Sequence, residues 1–220
     1  MLKLPEKTIL GQTMPKKMIY EQLDASAALK RRFVEQIERI VFQNRIAEDS
    51  VNIAPGVRVE EIDVFEIELR GQNLDEEIVR QIDKAIPRPI LFLLKYEELV
   101  QAWISYKEIR IVPSKGTAKV NQIAFYKTEW VEPEKLPCKM VGLDLDAVYD
   151  NFVLLVAGDA LRRDASQTVA ESVDAQNKRV KIQKRIDALE NRIRKEPQFN
   201  RQMEMSDEVK RLKKELEKLN

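Results

Sequence analysis

Asp63, Glu66, Glu68 and Arg70 lie within one short segment, Glu61-Ile-Asp-Val-Phe-Glu-Ile-Glu-Leu-Arg70. Carboxylates so close together are the raw material of a magnesium-dependent phosphodiesterase, in which acidic side chains hold the metal and a nearby ammonium helps to activate water. The segment alternates apolar and polar residues, so it reads as a strand. Side chains two apart then share a face about 7 Å apart. Glu66 and Glu68 fall on one face and Asp63 on the other, so the three carboxylates converge on one metal only if a bulge intervenes. Glu68-Leu-Arg70 also puts arginine where a restriction-type nuclease has lysine, and a guanidinium does not act as a base. Lys95, near the end of a neighbouring apolar run, could supply the ammonium. The reading adopted is structural: Glu66 and Glu68 line a half-exposed sheet face and pair with Arg70, Lys95 or a lysine from a helix. A magnesium-dependent nuclease using Glu66, Glu68 and Lys95 is the alternative.

Other chemistries are excluded by composition. The chain contains no histidine and a single cysteine, Cys138, which removes histidine-based triads, structural zinc and the usual catalytic zinc sites. Cys138 has Lys139 beside it, but with no second cysteine the thiol reads as inert. The loop Ser114-Lys-Gly-Thr-Ala-Lys119 resembles a phosphate loop only superficially, lacking the first glycine and the strand-loop-helix setting. Trp103 and Trp130 read as packing residues. No cofactor and no metal are expected. The N-terminal Met-Leu-Lys-Leu-Pro-Glu-Lys lacks the order of a signal peptide, and no apolar run is long enough to span a bilayer. A cytoplasmic protein without a membrane partner is expected.

The elements that would position these residues follow from periodicity. Hydrophobic residues make up 44% and charged residues 34% of 220 positions, the balance of a helix-rich globular chain. Residues 1 to 24 read as a polar lead-in with a short helix from Lys16 to Leu23. Asp24 or Ser26 then caps a longer helix with Leu29, Phe33, Ile37, Ile40 and Val41 on one stripe. Val57 to Arg70 is a strand, and Leu74, Ile78, Ile82 and Ile86 mark a helix that Pro87 stops. Pro89-Ile-Leu-Phe-Leu-Leu reads as a strand buried on both faces and parallel to the first, the two joined by a right-handed crossover. Two antiparallel strands, Val100 to Tyr106 and Val120 to Trp130, extend the sheet. A helix over Leu143 to Val156 closes the domain. The prediction is an α/β (α+β) domain over residues 1–157, with a mixed sheet of four or more strands and flanking helices, then a polar helical connector over 158–176.

Residues 177–220 read as an antiparallel, coiled-coil-like helical hairpin. Ile182, Ile186, Leu189 and Ile193 recur at alternating four- and three-residue steps, and Val209, Leu212, Leu216 and Leu219 repeat the pattern. Pro197 forces the turn between them. A seam this narrow is marginal in water, so these eight residues are the expected interface with another chain or a second copy. Residues 174–220 carry fourteen Lys and Arg against nine Asp and Glu, whereas the preceding residues carry 24 against 28. The basic tail makes nucleic acid a further candidate partner, with Lys210, Arg211, Lys213 and Lys214 as the contacts.

Met14-Pro-Lys-Lys17, Leu29-Lys-Arg-Arg-Phe-Val-Glu-Gln-Ile-Glu-Arg-Ile40, Ser50-Val-Asn-Ile53, Glu61 to Leu69, Ile82-Asp-Lys-Ala-Ile-Pro-Arg-Pro-Ile-Leu-Phe92 and Thr128-Glu-Trp130 occur in that order. Together with Lys195-Glu-Pro-Gln-Phe-Asn-Arg201 at the hairpin turn, this ensemble resembles the bacterial domain-of-unknown-function 4391 family over most of the chain. The resemblance implies a prokaryotic protein of the kind found beside helicases and DNA methyltransferases in restriction and phage-defence gene clusters. The expected function is therefore a non-catalytic accessory or adaptor subunit of a DNA-processing or defence complex. Its expected partner is a helicase- or methyltransferase-type subunit or a second copy of the chain, held through the hairpin.

Overall fold

A computed structural model describes residues 4–23, 25–112, 117–161 and 167–219. The chain divides into two compact units, Met1–Ala160 and Leu161–Asn220. In the first unit the elements run β1 (Ile9–Met14), α1 (Lys16–Gln22), α2 (Ala27–Gln36), β2 (Ile37–Ala47), α3 (Glu48–Val51), β3 (Glu61–Leu69), α4 (Glu76–Ala85), β4 (Ile90–Tyr96), β5 (Leu99–Val112), β6 (Thr117–Lys127) and α5 (Leu145–Ala157). The second unit holds α6 (Val169–Ile193) and α7 (Phe199–Lys218).

The six strands form one mixed sheet in the order β1-β2-β3-β4-β5-β6. Among the described strands only β3 and β4 pair in parallel, and α4 joins them. Asp75 starts α4 by accepting a hydrogen bond from the Glu77 N–H at 2.9 Å. The helix ends at Ala85, two residues before Pro87, because proline disfavours helical geometry in the residue before it. One face of the sheet meets α2 and α4 in a core that includes Phe33, Phe65, Ile67, Ile78, Ile82, Phe92 and Trp103. The opposite face meets α5, where Tyr149 stacks on Tyr106 with ring centroids 6.0 Å apart. Burying both faces of β3 and β4 explains why Pro89 is followed by an uninterrupted apolar run.

The structure departs from the sequence expectation at several elements. The stripe Leu29, Phe33, Ile37, Ile40 and Val41 is not one helix: α2 ends at Gln36 and β2 begins at Ile37 with no intervening loop. From there Ile37, Ile40, Val41 and Phe42 are β-branched or aromatic and fit a pleated surface better than a helix. Pairing with β1 on one side and β3 on the other then satisfies the backbone. The second correction is β1 itself, read as polar lead-in. It is an almost fully exposed edge strand, so burial left no alternating pattern to find, and its register breaks between Ile9 and Gln12, where Gly11 adopts φ +60°.

The strand expected from Val57 begins instead at Glu61. Residues 57–59 form a loop held by α5: Asp146 accepts from the Val57, Arg58 and Val59 N–H groups at 3.0, 3.1 and 2.8 Å. A Cβ on Gly56 would lie 2.2 Å from Asp146 Oδ1, so only glycine permits this approach.

In the second unit, α6 and α7 run antiparallel. Ile186, Leu189 and Val209 are buried between them, with Ile182, Ile193, Met205, Leu212 and Leu216 packed around that centre. Thr168 starts α6 with a reciprocal cap: its Oγ1 accepts from the Glu171 N–H, and the Glu171 carboxylate accepts from the Thr168 N–H. Residues 169–176, expected as a connector, are the first turns of α6. At the far end Leu219 is the C-cap of α7, and its carbonyl accepts from Arg179 Nε at 2.7 Å.

Candidate functional site

The acidic residues of β3 each meet a cation from a neighbouring part of the sheet. Lys95 Nζ on β4 lies 2.7 Å from Glu66 Oε2. Arg39 on β2 binds Glu68 through two guanidinium nitrogens at 3.1 and 2.6 Å, the geometry in which arginine holds a carboxylate best. Arg70 turns away to Glu38 at 2.8 Å and donates to the Ile37 carbonyl. Glu66, Glu68 and Lys95 are therefore neighbours in register, yet Lys95 and Arg39 divide the two carboxylates between them.

Asp63 lies on the other face of β3, with its side chain sealed from solvent. Arg88 Nε sits 3.0 Å from its Oδ2 and 3.2 Å from Glu61, which Arg45 also binds at 2.6 Å. Burial pushes the Asp63 carboxyl up to about 6; Arg88 opposes that rise and Glu61 adds to it. Its second oxygen, Oδ1, has no hydrogen-bond partner.

A second polar cluster was invisible to sequence reasoning. Asp83 on α4 and Lys107 on β5 both have fully buried side chains. Lys107 Nζ donates to Asp83 Oδ1 and the Asp83 carbonyl, each at 2.8 Å, and to the Ile86 carbonyl at 3.1 Å. Asp83 Oδ2 accepts from Ser105 Oγ at 2.6 Å and Gln122 Nε2 at 2.5 Å. All three ammonium donors and both carboxylate oxygens are satisfied, the condition for tolerating buried charge. Burial still lowers the Lys107 pKa, with Asp83 working against that shift. On the opposite side of β5 the Tyr149 hydroxyl accepts from the Lys107 N–H at 2.9 Å and donates to the Ser105 carbonyl at 2.6 Å. One phenol thus ties down the main chain where the β5–β6 register shifts. The signal available in the sequence was Asp83 on α4, between Ile82 and Ile86, and Lys107 two residues from Ser105 on β5.

These arrangements neutralise charge within the fold and leave no convergent acidic centre. Among the described residues no three of His, Cys, Asp and Glu gather as a metal site would require. Cys138 is buried and its thiol is pushed up to about 12, which suppresses the reactive thiolate. Trp103 Nε1 donates to Gln101 Oε1 at 2.7 Å, and Trp130 packs on the main core. Of the loop Ser114 to Lys119, residues 114–116 lie outside the described residues, and the rest belongs to β6.

Of the eight expected interface residues, Ile182, Ile186, Leu189, Ile193, Val209, Leu212 and Leu216 lie in the α6–α7 cluster, joined by Met205, which periodicity did not single out, whereas Leu219 lies outside it as the C-cap of α7. Of the four expected nucleic-acid contacts, Lys210 pairs with Asp207 at 3.0 Å and Lys213 with Glu190 at 2.8 Å, while Arg211 and Lys214 are exposed.

The family described as a domain of unknown function (DUF4391) matches residues 2–216. The chain belongs to this family. No curated protein and no solved structure matches it. For this DUF4391 protein the match takes in both units, the sheet domain and the helical pair alike. Among its described residues no helix is long and apolar enough to cross a membrane.

Proposed function

We propose that this protein is a non-catalytic accessory subunit of a bacterial DNA-processing or phage-defence complex, working in the cytoplasm and assembling through α6 and α7. The observation that carries the reading is the sparse interior of the helical pair. Three buried side chains, Ile186, Leu189 and Val209, form its centre, while Ile182, Ile193, Met205, Leu212 and Leu216 are only partly covered. Most helical stability in proteins comes from tertiary packing of an apolar face, and in this pair that packing is thin. A partner helix laid along these margins would complete a bundle. The pairing of Glu66 with Lys95 and of Glu68 with Arg39 supports the non-catalytic part of the reading. The link to DNA-acting partners rests on the family's association with helicases and methyltransferases.

The test is purification of the tagged full chain from its native host, with mass spectrometry of co-eluting proteins and light-scattering mass. Stoichiometric co-elution with a helicase- or methyltransferase-type subunit, lost in Ile182→Asp with Leu216→Asp, is the expected result. A monomeric mass with no DNA-acting protein in the eluate overturns the proposal.

A further inference from the structure

Charge and apolar exposure coincide at the turn between α6 and α7. Residues 191–203, Asn-Arg-Ile-Arg-Lys-Glu-Pro-Gln-Phe-Asn-Arg-Gln-Met, carry Arg192, Arg194, Lys195 and Arg201 against one carboxylate, Glu196. All four cations are exposed. Elsewhere on the pair, three cations find acids: Arg185 meets Glu208, Lys210 meets Asp207 and Lys213 meets Glu190. Among the described residues, none of the four at the turn has an ion pair or a side-chain hydrogen bond. Glu196 is engaged locally, accepting from the Gln198 N–H at 3.1 Å, and the first turn of α7 contains no acidic residue. The excess positive charge is therefore unanswered within the turn.

Phe199 lies between Lys195 and Arg201 in the chain with 71% of its surface exposed, and Met203, one helical turn on, is 46% exposed. The spacing of four puts them on one face, whereas Met205, Val209, Leu212 and Leu216 occupy the seam. The turn is stiffened by Pro197 and by Gln202 Nε2, which donates to the Glu196 carbonyl at 2.6 Å. An exposed apolar ring on a short turn rich in cations suits a chain that alternates phosphate with an unstacked base. A duplex keeps its base faces stacked inside, and an anionic bilayer requires a wider apolar face than two side chains.

The geometry points to the α6–α7 turn as a single-stranded nucleic-acid site, with phosphates on Arg192, Arg194, Lys195 and Arg201 and one base stacked on Phe199 beside Met203. This site is independent of partner binding along the helical margins, so the two proposals fail separately.

The test is fluorescence anisotropy of a labelled oligodeoxythymidylate of about 20 nucleotides with the full chain, one nucleotide footprint or more for a stacking site. With about four phosphates neutralised, affinity should fall about fiftyfold between 50 and 200 mM salt. Phe199→Ala, which alters no charge and no buried contact, should weaken binding on the order of tenfold or more. Arg192→Glu with Arg194→Glu should abolish it, and both variants should keep the wild-type circular dichroism and co-purify the same partners. Absence of binding at 50 mM salt overturns the site, as does equal affinity for Phe199→Ala and wild type. Preference for a duplex of the same length, or for phosphatidylserine vesicles over the oligonucleotide, also overturns it.

Discussion

Lys107 of β5 and Asp83 of α4 form an ion pair from which solvent is excluded, both side chains being 0% exposed and their charged atoms 2.8 Å apart. The pair pins the C-terminal end of α4 to the sheet. Because every donor and acceptor in it is matched, its integrity depends on all its members together.

Removing one partner leaves the other charged and buried. Asp83→Ala should destabilise the protein by about 3 to 5 kcal/mol, and Lys107→Met should have a cost of the same order. Asp83→Leu combined with Lys107→Met should recover much of the loss, since two apolar side chains leave no charge unpaired. Urea unfolding followed by tryptophan fluorescence measures all three. Additive losses in the double variant would show that the pair is not the coupled unit described.

Asp63 sets a pH dependence of unusual sign for a carboxylate. Its folded pKa stands near 6, above the ordinary value of 3.8. Between those values the folded state holds a proton that the unfolded state has released, so this group makes the fold less stable as pH rises through that window. The groups facing it are Arg88, Glu61 and, more distantly, Lys107, so the proton settles on a site already crowded with charge. The wild type should gain stability from this residue as pH falls from 7 towards 5, and Asp63→Asn should flatten that slope. Urea midpoints across the range check it, and identical slopes for the two proteins would discount the assignment.

Leu189 is buried between α6 and α7, and Leu212 packs beside it. Leu189→Asp with Leu212→Asp should melt the pair, because truncation alone of a buried leucine costs about 2 to 5 kcal/mol and a carboxylate adds desolvation. Trp103 and Trp130 both belong to the first unit. Helical circular dichroism should therefore fall while tryptophan emission stays unchanged. A shift in emission would mean that the sheet domain unfolds with the pair.

With Glu66 bound to Lys95 and Glu68 to Arg39, the purified protein should not cleave DNA or RNA in magnesium or manganese. Gel assays on single- and double-stranded substrates test this. Cleavage that disappears in Glu68→Ala, with circular dichroism preserved, would restore the nuclease alternative.

Elements whose signal is local were legible in the sequence. Pro87 and Pro89 bracket the entry to β4, and Glu97-Glu98 marks its exit, where Glu97 adopts φ 51°. The four-residue spacing of α4 and the seam of α6 and α7 likewise needed no knowledge of neighbours. Elements defined by their neighbours were not legible. Ile37, Ile40 and Val41 continue the helical spacing of α2, and only strand partners on both sides decide that they are extended. The same stretch bears on the candidate site: Arg39 and Glu38, which pair with Glu68 and Arg70, sit on β2, where the periodicity alone continues a helix. Asp83 and Lys107 are separated by a whole strand, so nothing near either residue announced the other.

Strand order follows chain order across the whole sheet. During synthesis each new strand therefore meets an edge that its predecessor has just completed, and no strand waits for a distant segment to fill a gap between neighbours. Such sequential pairing keeps loop-closure costs small and favours rapid, vectorial folding. The single parallel step is the slow point, because β4 can dock only after α4 has emerged and crossed the sheet. Residues up to Trp130 contain every member of the α2–α4 core, while the other face waits for α5. On the ribosome, the half-covered sheet is the stage at which a chaperone would have something to hold.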